Sequence, residues 1–294
     1  MHPGQRLQTK LAAMLLATLF ALIWAVIERI GRGIHVSSYQ VVWTRYGTHL
    51  LLVVALSRRF PWTLGRTARP GLQIACSLLM LGMPLCFIGS VARMPFADTM
   101  SIFWGVSFMT VLLSPLVCGE RTGWGEWAGI AAASAGAVLL THPDHVPLRA
   151  AAVFPLGMVF CFALYQVLAR EMRDEPVATK LFHTGFWVFL ALSLALPRFW
   201  RAPSPRDVAI MVSIGVLGCG ALFALDLALE IASPGVIAPA LCTQPFWAAL
   251  LEGKLSGAAP GAVLVLIGAG LAFLWRRPQH TLRSAAVTGK AGAA

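Results

Sequence analysis

The sequence predicts an all-α integral membrane protein with ten transmembrane helices, arranged as two inverted five-helix repeats. Composition is the first indication: 58% of the 294 residues are hydrophobic and 12% are charged, whereas an ordinary soluble domain carries about 25% charged residues. The second is a series of apolar runs near the roughly 20 residues that a membrane-crossing helix needs. The third is that the second half of the chain repeats the order of the first.

The apolar runs are separated by charged, Pro or Gly positions. In the first half they cover residues 11–27, 38–56, 71–91, 95–118 and 124–141. In the second half they cover residues 152–169, 178–197, 208–229, 234–251 and 258–275. We therefore divide the chain into a cytoplasmic N-terminal tail (1–10), a first repeat (11–141), a connecting loop (142–151), a second repeat (152–275) and a flexible cytoplasmic tail (276–294).

The basic residues predict the orientation in the membrane. With a cytoplasmic N-terminus, 14 of the 23 Lys and Arg residues lie inside and 8 outside, and Arg45 lies within a helix. This bias predicts that both termini are cytoplasmic. We expect the protein to lie in the inner membrane of the cell. The net charge of +11 is distributed between apolar runs, which indicates contact with anionic lipid rather than with nucleic acid.

The two halves match after a shift along the chain. A shift of 138 residues aligns Arg32 with Arg170, and a later shift of 132 aligns Glu120 with Glu252. The same shifts align three further sites: Trp24-Ala25 with Phe162-Ala163, Gly129 with Gly261, and Gly136 with Gly268. Because five helices is an odd number, the second repeat enters the membrane in the opposite sense, which is a common construction of transporters with a midplane binding site.

Several stretches resemble a known family. They are MPFADTMSIFWGVSFMTVLLSPLVCGERTGWGEWAGIAAASAGAVLL (94–140), SSYQVVWTRYG (37–47), FALYQVLAREM (162–172) and SPGVIAPALCTQPFWAALLEGKLSGAAPGAVLVLIGAG (233–270). They are similar to the EamA-type repeat of the drug/metabolite transporter superfamily, over nearly all of residues 10–275. The resemblance implies cytoplasmic termini, a central cavity lined mainly by helices one to four and six to nine, alternating access, and export. Two features depart from the family: helix nine is shortened between Pro245 and Glu252, and Asp226 is not expected in helix eight.

Arg45 is the clearest candidate for a functional charge, because a charged side chain in mid-membrane faces the bundle interior or a water-filled cavity. It lies four residues before His49, so both project from one helical face. Arg45 either binds a solute anion, such as a carboxylate, or makes an internal structural contact. His183, its counterpart in the second repeat, is a weaker binding candidate near a helix end.

Aromatic residues in the middle of helices predict an aromatic cavity, since Trp and Tyr of the interfacial belt lie near helix ends. Such a cavity with few polar anchors suits amphipathic organic solutes. Gln244, beside Pro245, offers amide hydrogen bonds where the helix is interrupted. The aromatic candidates for substrate binding are Trp24, Phe103, Trp104, Tyr165 and Trp247.

Asp98 and Asp226 are candidates for proton coupling, because a carboxylate in a dry cavity takes up protons more readily than one in water. Both lie near predicted helix ends. Asp98 has an alternative role in stabilising the start of its helix through the helix dipole.

The function predicted from these features is a secondary transporter of small organic metabolites, such as amino acids or amphipathic compounds. The alternatives are a non-transporting membrane scaffold or sensor and a membrane-embedded enzyme. No H-E-x-x-H or G-x-S-x-G motif occurs, and the six cysteines form no C-x-x-C pair, so no catalytic residue, metal site or cofactor is predicted. The expected partners are membrane lipid and a small-molecule substrate, with the chain as a monomer or homodimer.

Overall fold

A computed structural model describes residues 3–57, 61–141, 150–254 and 259–274. Every regular element in these residues is helical. Residues 1–2, most of the predicted connecting loop 142–151 and the predicted tail 276–294 lie outside the described residues. The described helices, in chain order, are α1 (Pro3–Gly31), α2 (Ser38–Ser57), α3 (Pro61–Leu64), α4 (Pro70–Val91), α5 (Phe96–Phe103), α6 (Val106–Val117), α7 (Trp124–Thr141), α8 (Val153–Glu171), α9 (Val177–Phe199), α10 (Pro205–Ile231), α11 (Pro234–Leu241), α12 (Gln244–Leu251) and α13 (Ala259–Leu274).

Within the described residues, seven helical segments are long and apolar enough to cross a membrane. They are Leu7–Gly31, Pro70–Val91, Phe96–Val117, Val153–Glu171, Val177–Phe199, Pro205–Ile231 and Pro234–Leu251. The predicted runs 38–56, 124–141 and 258–275 are also helical, as α2, α7 and α13. Buried Gln40, Arg45 and His49 lower the hydropathy of α2, and α13 is a shorter apolar helix.

Three predicted boundaries differ from the structure. Helix α1 begins at Pro3 rather than at Leu11, because the Gln, Arg, Leu and Lys residues before the apolar run are good helix formers. The runs 95–118 and 234–251 are each two helices, interrupted at Trp104-Gly105 and at Cys242-Thr243. Pro245, which has no backbone N–H to donate, lies in the first turn of α12, where that loss is tolerated.

Helices α7 and α13 approach each other through glycines. A Cβ at Gly129 would lie 2.7 Å from the carbonyl oxygen of Gly268, and a Cβ at Gly136 would lie 2.6 Å from that of Gly261. The early glycine of each helix therefore contacts the late glycine of the other, so the helices are antiparallel. Small residues at these positions let the two backbones come close, as in many membrane helix pairs.

The remaining helix contacts also come in matched sets. Helix α1, from the first half, packs on α10, α11 and α12 of the second half. Helix α8, from the second half, packs on the corresponding helices α4, α5 and α6 of the first half. Helix α2 packs on α9. The outer surface exposes large apolar side chains, such as Leu51, Leu116 and Leu194, while Arg45 and Asp226 are buried. Apolar groups outside and polar groups within are the arrangement that a lipid environment favours.

Candidate functional site

Arg45 lies at the centre of the bundle with little access to solvent. It is 5% exposed, and its guanidinium carbon lies 4.6 Å from the centre of the Trp24 ring. Nε and Nη2 have no hydrogen-bond partner among the described residues. A Cβ at Gly218 of α10 would lie 2.7 Å from Nε, so only glycine leaves room for the guanidinium. The arrangement offers free donors to an anionic or hydrogen-bond-accepting group.

A cluster of stacked rings extends from Trp24 across the bundle. Phe20 lies between Trp24 and Phe162, with ring centroids 6.1 Å and 5.9 Å away. Phe162 also lies 5.9 Å from Phe103 and 6.3 Å from Tyr165, and Phe103 lies 5.7 Å from Trp104. We call these six rings the aromatic cluster. They join α1, α5 and α8, and Trp24 and Phe162, which the repeat shift aligns, both contact Phe20.

A buried carboxylate borders the aromatic cluster. The Tyr165 hydroxyl donates a hydrogen bond of 2.8 Å to Oδ1 of Asp226. Asp226 is fully buried, and its Oδ2 has no hydrogen-bond partner among the described residues. Lys180 lies within electrostatic range of this carboxylate and pairs with Glu230 at 3.2 Å. The Asp226 carboxylate therefore lies near both the aromatic cluster and the Lys180 ammonium, and its Oδ2 can accept a further hydrogen bond.

A cavity of about 390 Å³ opens at the end of the bundle where α1 finishes, which we call the Gly31 end. Its walls come from α1, α5, α7 and α12, with Glu28 and Gln244 among the polar groups. It extends inward to Trp104 and Pro245, which adjoin the two helix interruptions. Trp24, whose ring contacts Arg45, lies one helical turn deeper than the cavity residue Glu28 on the same face of α1.

Ion pairs border the mouth of this cavity. Arg32 lies 2.6 Å from Glu252 and 3.0 Å from Glu28, and Lys254 lies 2.8 Å from Glu252. The Gln244 amide donates to Glu28 at 3.4 Å. The hydrogen bond from Lys254, with help from Arg32, lowers the pKa of Glu252 below its usual range. The Glu252 carboxylate is therefore charged and paired at neutral pH.

The opposite end of the bundle, where α6 finishes, is the Glu120 end. Arg170 lies 2.8 Å from Glu120 and also donates to the carbonyls of Leu229 at 2.7 Å and Glu230 at 2.9 Å. The span from Phe96, at the cavity, to Val117 contains 22 residues, about 33 Å of helix at 1.5 Å per residue. The two ends therefore lie at opposite ends of a segment that is long enough to cross a membrane.

The predicted site residues fall into three groups. The structure brings Trp24, Arg45, Phe103, Trp104 and Tyr165 together at the aromatic cluster, and it places Gln244 at the cavity. His49 is buried and faces α9, where a Cβ at Gly185 would lie 3.6 Å from its ring.

The other predicted residues lie apart from the cluster. His183 lies beside Phe182 on α9, with ring centroids 5.9 Å apart. Trp247 donates to the Thr243 hydroxyl at 3.2 Å. Asp98 is buried in the first turn of α5, the position at which an acid favours the start of a helix.

The sequence reasoning did not select Phe20, Phe162 or the cavity-mouth residues. Phe20 and Glu28 lie four residues before and after Trp24, and Arg32 lies four beyond Glu28, so one helical stripe carries them all. The repeat shift already aligned Phe162 with Trp24. Helical spacing and the repeat together were the signals for these residues.

Metal-binding side chains do not gather at the site: the described part of the chain holds no group of three or more His, Cys, Asp or Glu suited to a metal ion. The six cysteines are free thiols. Buried donors without a partner among the described residues include the guanidinium of Arg45, the indole N–H of Trp104 and the amide of Gln166.

Comparison with known proteins finds distant relatives that are all named as membrane transporters. A riboflavin transporter from Rhizobium johnstonii is 21% identical over 247 residues, which cover 81% of this chain and 80% of the relative. An S-adenosylmethionine uptake transporter from Rickettsia prowazekii is 17% identical over 208 residues, which cover 70% of this chain and 71% of the relative. No family model matches the chain.

The fold itself is found in a solved protein. A crystal structure whose description names no function superposes with a TM-score of 0.75 and 18% identity, covering 88% of this chain and 96% of that one. The chain is thus a multi-pass, all-helical membrane protein with a polar centre. Its relatives are transporters and not enzymes, which agrees with a non-enzymatic protein.

Proposed function

We propose that this chain is a secondary transporter that moves a small organic solute past Arg45 by alternating access. The observation that carries the proposal is the cavity, which enters from the Gly31 end and stops at helix interruptions at Trp104 and beside Pro245. Discontinuous helices at the midplane are where many secondary transporters bind their solutes. A scaffold or sensor has no need of such a path.

The proposed architecture is ten transmembrane helices in two inverted repeats, 11–141 and 152–275, of the EamA type. Two features support it. The interruption at Trp104-Gly105 falls 138 residues before that at Cys242-Thr243, which is the shift that aligns the halves. The Gly129–Gly268 and Gly136–Gly261 contacts exchange under the later shift of 132, as expected for a twofold axis between α7 and α13.

The proposed binding centre consists of Arg45 as the anchor for a carboxylate or another acceptor, and of the aromatic cluster as an apolar surface. Trp104 and Gln244 add hydrogen-bond donors along the cavity. His49, His183 and Trp247 remain proposed contacts for a solute in another conformation. Amino acids and amphipathic, ring-bearing solutes fit this combination of one cation and many rings.

For orientation, we propose both termini in the cytoplasm of an inner membrane, with the N-terminal tail 1–10, the loop 142–151 and the tail 276–294 outside the two repeats. Export is the proposed direction, on the family resemblance. Uptake, which the name of the Rickettsia relative states for that protein, is the alternative. Uptake measured in right-side-out and inverted vesicles distinguishes them.

The test is counterflow in proteoliposomes preloaded with one unlabelled solute and supplied with its radiolabelled form outside. The solutes are riboflavin, S-adenosylmethionine and a set of amino acids. We expect saturable exchange of at least one solute class, and its loss in Arg45→Gln. The matched control is Arg93→Gln. Arg93 is exposed in the turn after α4, donates to the Gly89 carbonyl at 2.9 Å, and lies over the Phe154 ring at 4.5 Å, away from the Arg45 guanidinium. Folded protein that exchanges none of these solutes contradicts the proposal.

A further inference from the structure

Two ion pairs join the halves of the chain, one at each end of the bundle. At the Gly31 end, Arg32 Nη1 lies 2.6 Å from Glu252 Oε1. At the Glu120 end, Arg170 Nη2 lies 2.8 Å from Glu120 Oε1. Arg32 directly follows α1, and Arg170 lies in the last turn of α8, the first helix of the second half. Glu252 directly follows α12, and Glu120 lies three residues after the end of α6. Each arginine therefore pairs with a glutamate that follows the interrupted span of the other half.

The two pairs are also equivalent by sequence. The shift of 138 aligns Arg32 with Arg170, and the shift of 132 aligns Glu120 with Glu252. A twofold axis that exchanges the halves would therefore exchange one pair for the other. Neither pair is a chance surface contact, because the chain holds the same contact at corresponding positions on both faces of the membrane.

The surroundings of the two pairs differ. The Arg170 side chain is 11% exposed and also holds two carbonyls at the end of α10. The Arg32 side chain is 56% exposed and borders the open cavity. Solvent screens an exposed pair more strongly than a buried one. The Glu120 end is therefore held more firmly than the Gly31 end in this conformation.

We propose that Arg32–Glu252 and Arg170–Glu120 are reciprocal gates. Both pairs are formed in this structure, in which the cavity at the Gly31 end reaches only as far as Trp104 and Pro245. Full opening of either end requires its own pair to break while the other pair stays formed. This inference rests on the proposed transport function. It makes these four side chains positioning residues, which set which end of the path is open.

Each end has a position that can report its opening. Cys118 lies two residues before Glu120, and its thiol donates to the Val167 carbonyl across the α6–α8 contact at 3.3 Å. The thiol is partly buried at this contact, so the closed end reacts slowly with maleimides. Met100 lines the cavity at the Gly31 end, and Met100→Cys supplies the second reporter.

The experiment measures the labelling rates of both thiols by a water-soluble maleimide, read peptide by peptide by mass spectrometry on the full chain in nanodiscs. We expect Arg170→Gln to raise labelling at Cys118 roughly three- to tenfold and to lower it at Met100→Cys. Arg32→Gln should do the reverse. Glu120→Gln and Glu252→Gln are second variants of each pair, in case an arginine variant fails to fold.

Controls separate gating from loss of charge. Arg121→Gln removes an exposed neighbour of Glu120, and Arg93→Gln removes a cation near the end of α4; neither should change either rate. Arg170→Lys, which keeps a cation opposite Glu120, should leave the rates closer to those of the wild type than Arg170→Gln does. A structural brace would loosen its own end without closing the other.

Two outcomes overturn the gating proposal: labelling at both reporters that rises together, or rates that do not change in well-folded variants. The labelling needs no solute, so it is independent of the transport assay. Reciprocal labelling without any solute exchange would contradict the proposed function and leave the gates standing. Solute exchange without reciprocal labelling would contradict the gating proposal and leave the proposed transport function standing.

Discussion

The guanidinium carbon of Arg45 lies 4.6 Å from the centre of the Trp24 ring, although the two residues belong to different helices. Gly218 of α10 approaches the same guanidinium from its own helix. The charge is thus held by a ring and by the shape of the space around it, and two of its nitrogens keep free donors. A buried cation with free donors is suited to the reversible binding of a hydrogen-bond acceptor on a solute.

Gly218→Ala tests whether this position of Arg45 matters without removing the charge. The new Cβ would lie 2.7 Å from Nε, so the guanidinium must shift away from α10 and change its contact with Trp24. We expect counterflow to fall about tenfold, the effect of weakening one charge-assisted contact by about 1.4 kcal/mol. Gly220→Ala, where the Cβ meets nothing within 4 Å, is the control and should transport normally. Equal activity in the two variants would contradict the assigned role of Arg45.

Gly268→Ala tests the close contact of α7 and α13. The added Cβ would lie 2.5 Å from the Gly129 carbonyl oxygen and 2.5 Å from the Ala133 nitrogen, and backbone atoms have little room to move. We expect a loss of about 1–3 kcal/mol in the free energy of unfolding, as for other overpacked sites. Thermal unfolding in detergent measures it against Gly270→Ala, which meets no atom within 4 Å. Matching stabilities would show that the helices are further apart than described.

Asp226→Asn tests proton coupling at the centre of the bundle. The amide oxygen can still accept the hydrogen bond that Tyr165 donates at 2.8 Å, but the side chain no longer carries a proton on and off. We expect solute exchange to continue while accumulation driven by an imposed pH gradient is lost. Asp98→Asn is measured alongside, because Asp98 is the other candidate for coupling; loss of gradient-driven accumulation in Asp98→Asn alone would assign the coupling to Asp98. Accumulation that persists in Asp226→Asn, or a wild-type protein that ignores the gradient, contradicts this role.

Glu252 should give the Gly31 end a pH dependence. Its lowered pKa means that the pair with Arg32 is complete above the usual value of 4.5 and is lost as the pH falls through the lower, folded-state value. A spin label at Met100→Cys should therefore become more accessible to a soluble relaxation agent only below about pH 4.5. In Glu252→Gln the label should show no such step. A step that survives in Glu252→Gln would assign the transition to another group.

Much of the fold could be predicted from local properties of the sequence. Each of the ten apolar runs is helical, because their hydropathy and length leave the backbone no other way to satisfy its hydrogen bonds in lipid. The interruptions at Trp104-Gly105 and Cys242-Thr243 were not predicted. Apolar residues flank both interruptions, so the pattern of hydropathy does not change there.

The site was predictable in its residue types and less so in its contacts. Arg45 stands out because a charge in an apolar run is costly, but its contact with Trp24 depends on how α1 and α2 pack. The repeat had already aligned Arg32 with Arg170 and Glu120 with Glu252. Only the folded chain shows that each arginine pairs with the glutamate of the other half, since that choice follows from packing between the repeats.

The measurement that tests alternating access most directly is solute exchange with one end of the path chemically closed. Arg32→Cys with Glu252→Cys, and separately Arg170→Cys with Glu120→Cys, can be joined by a short dithiol-reactive linker that a reductant cleaves, with linkage checked by mass spectrometry. We expect either link to stop counterflow and its cleavage to restore the flux, because solute must leave through both ends in turn. Counterflow that continues through fully linked protein would contradict this account.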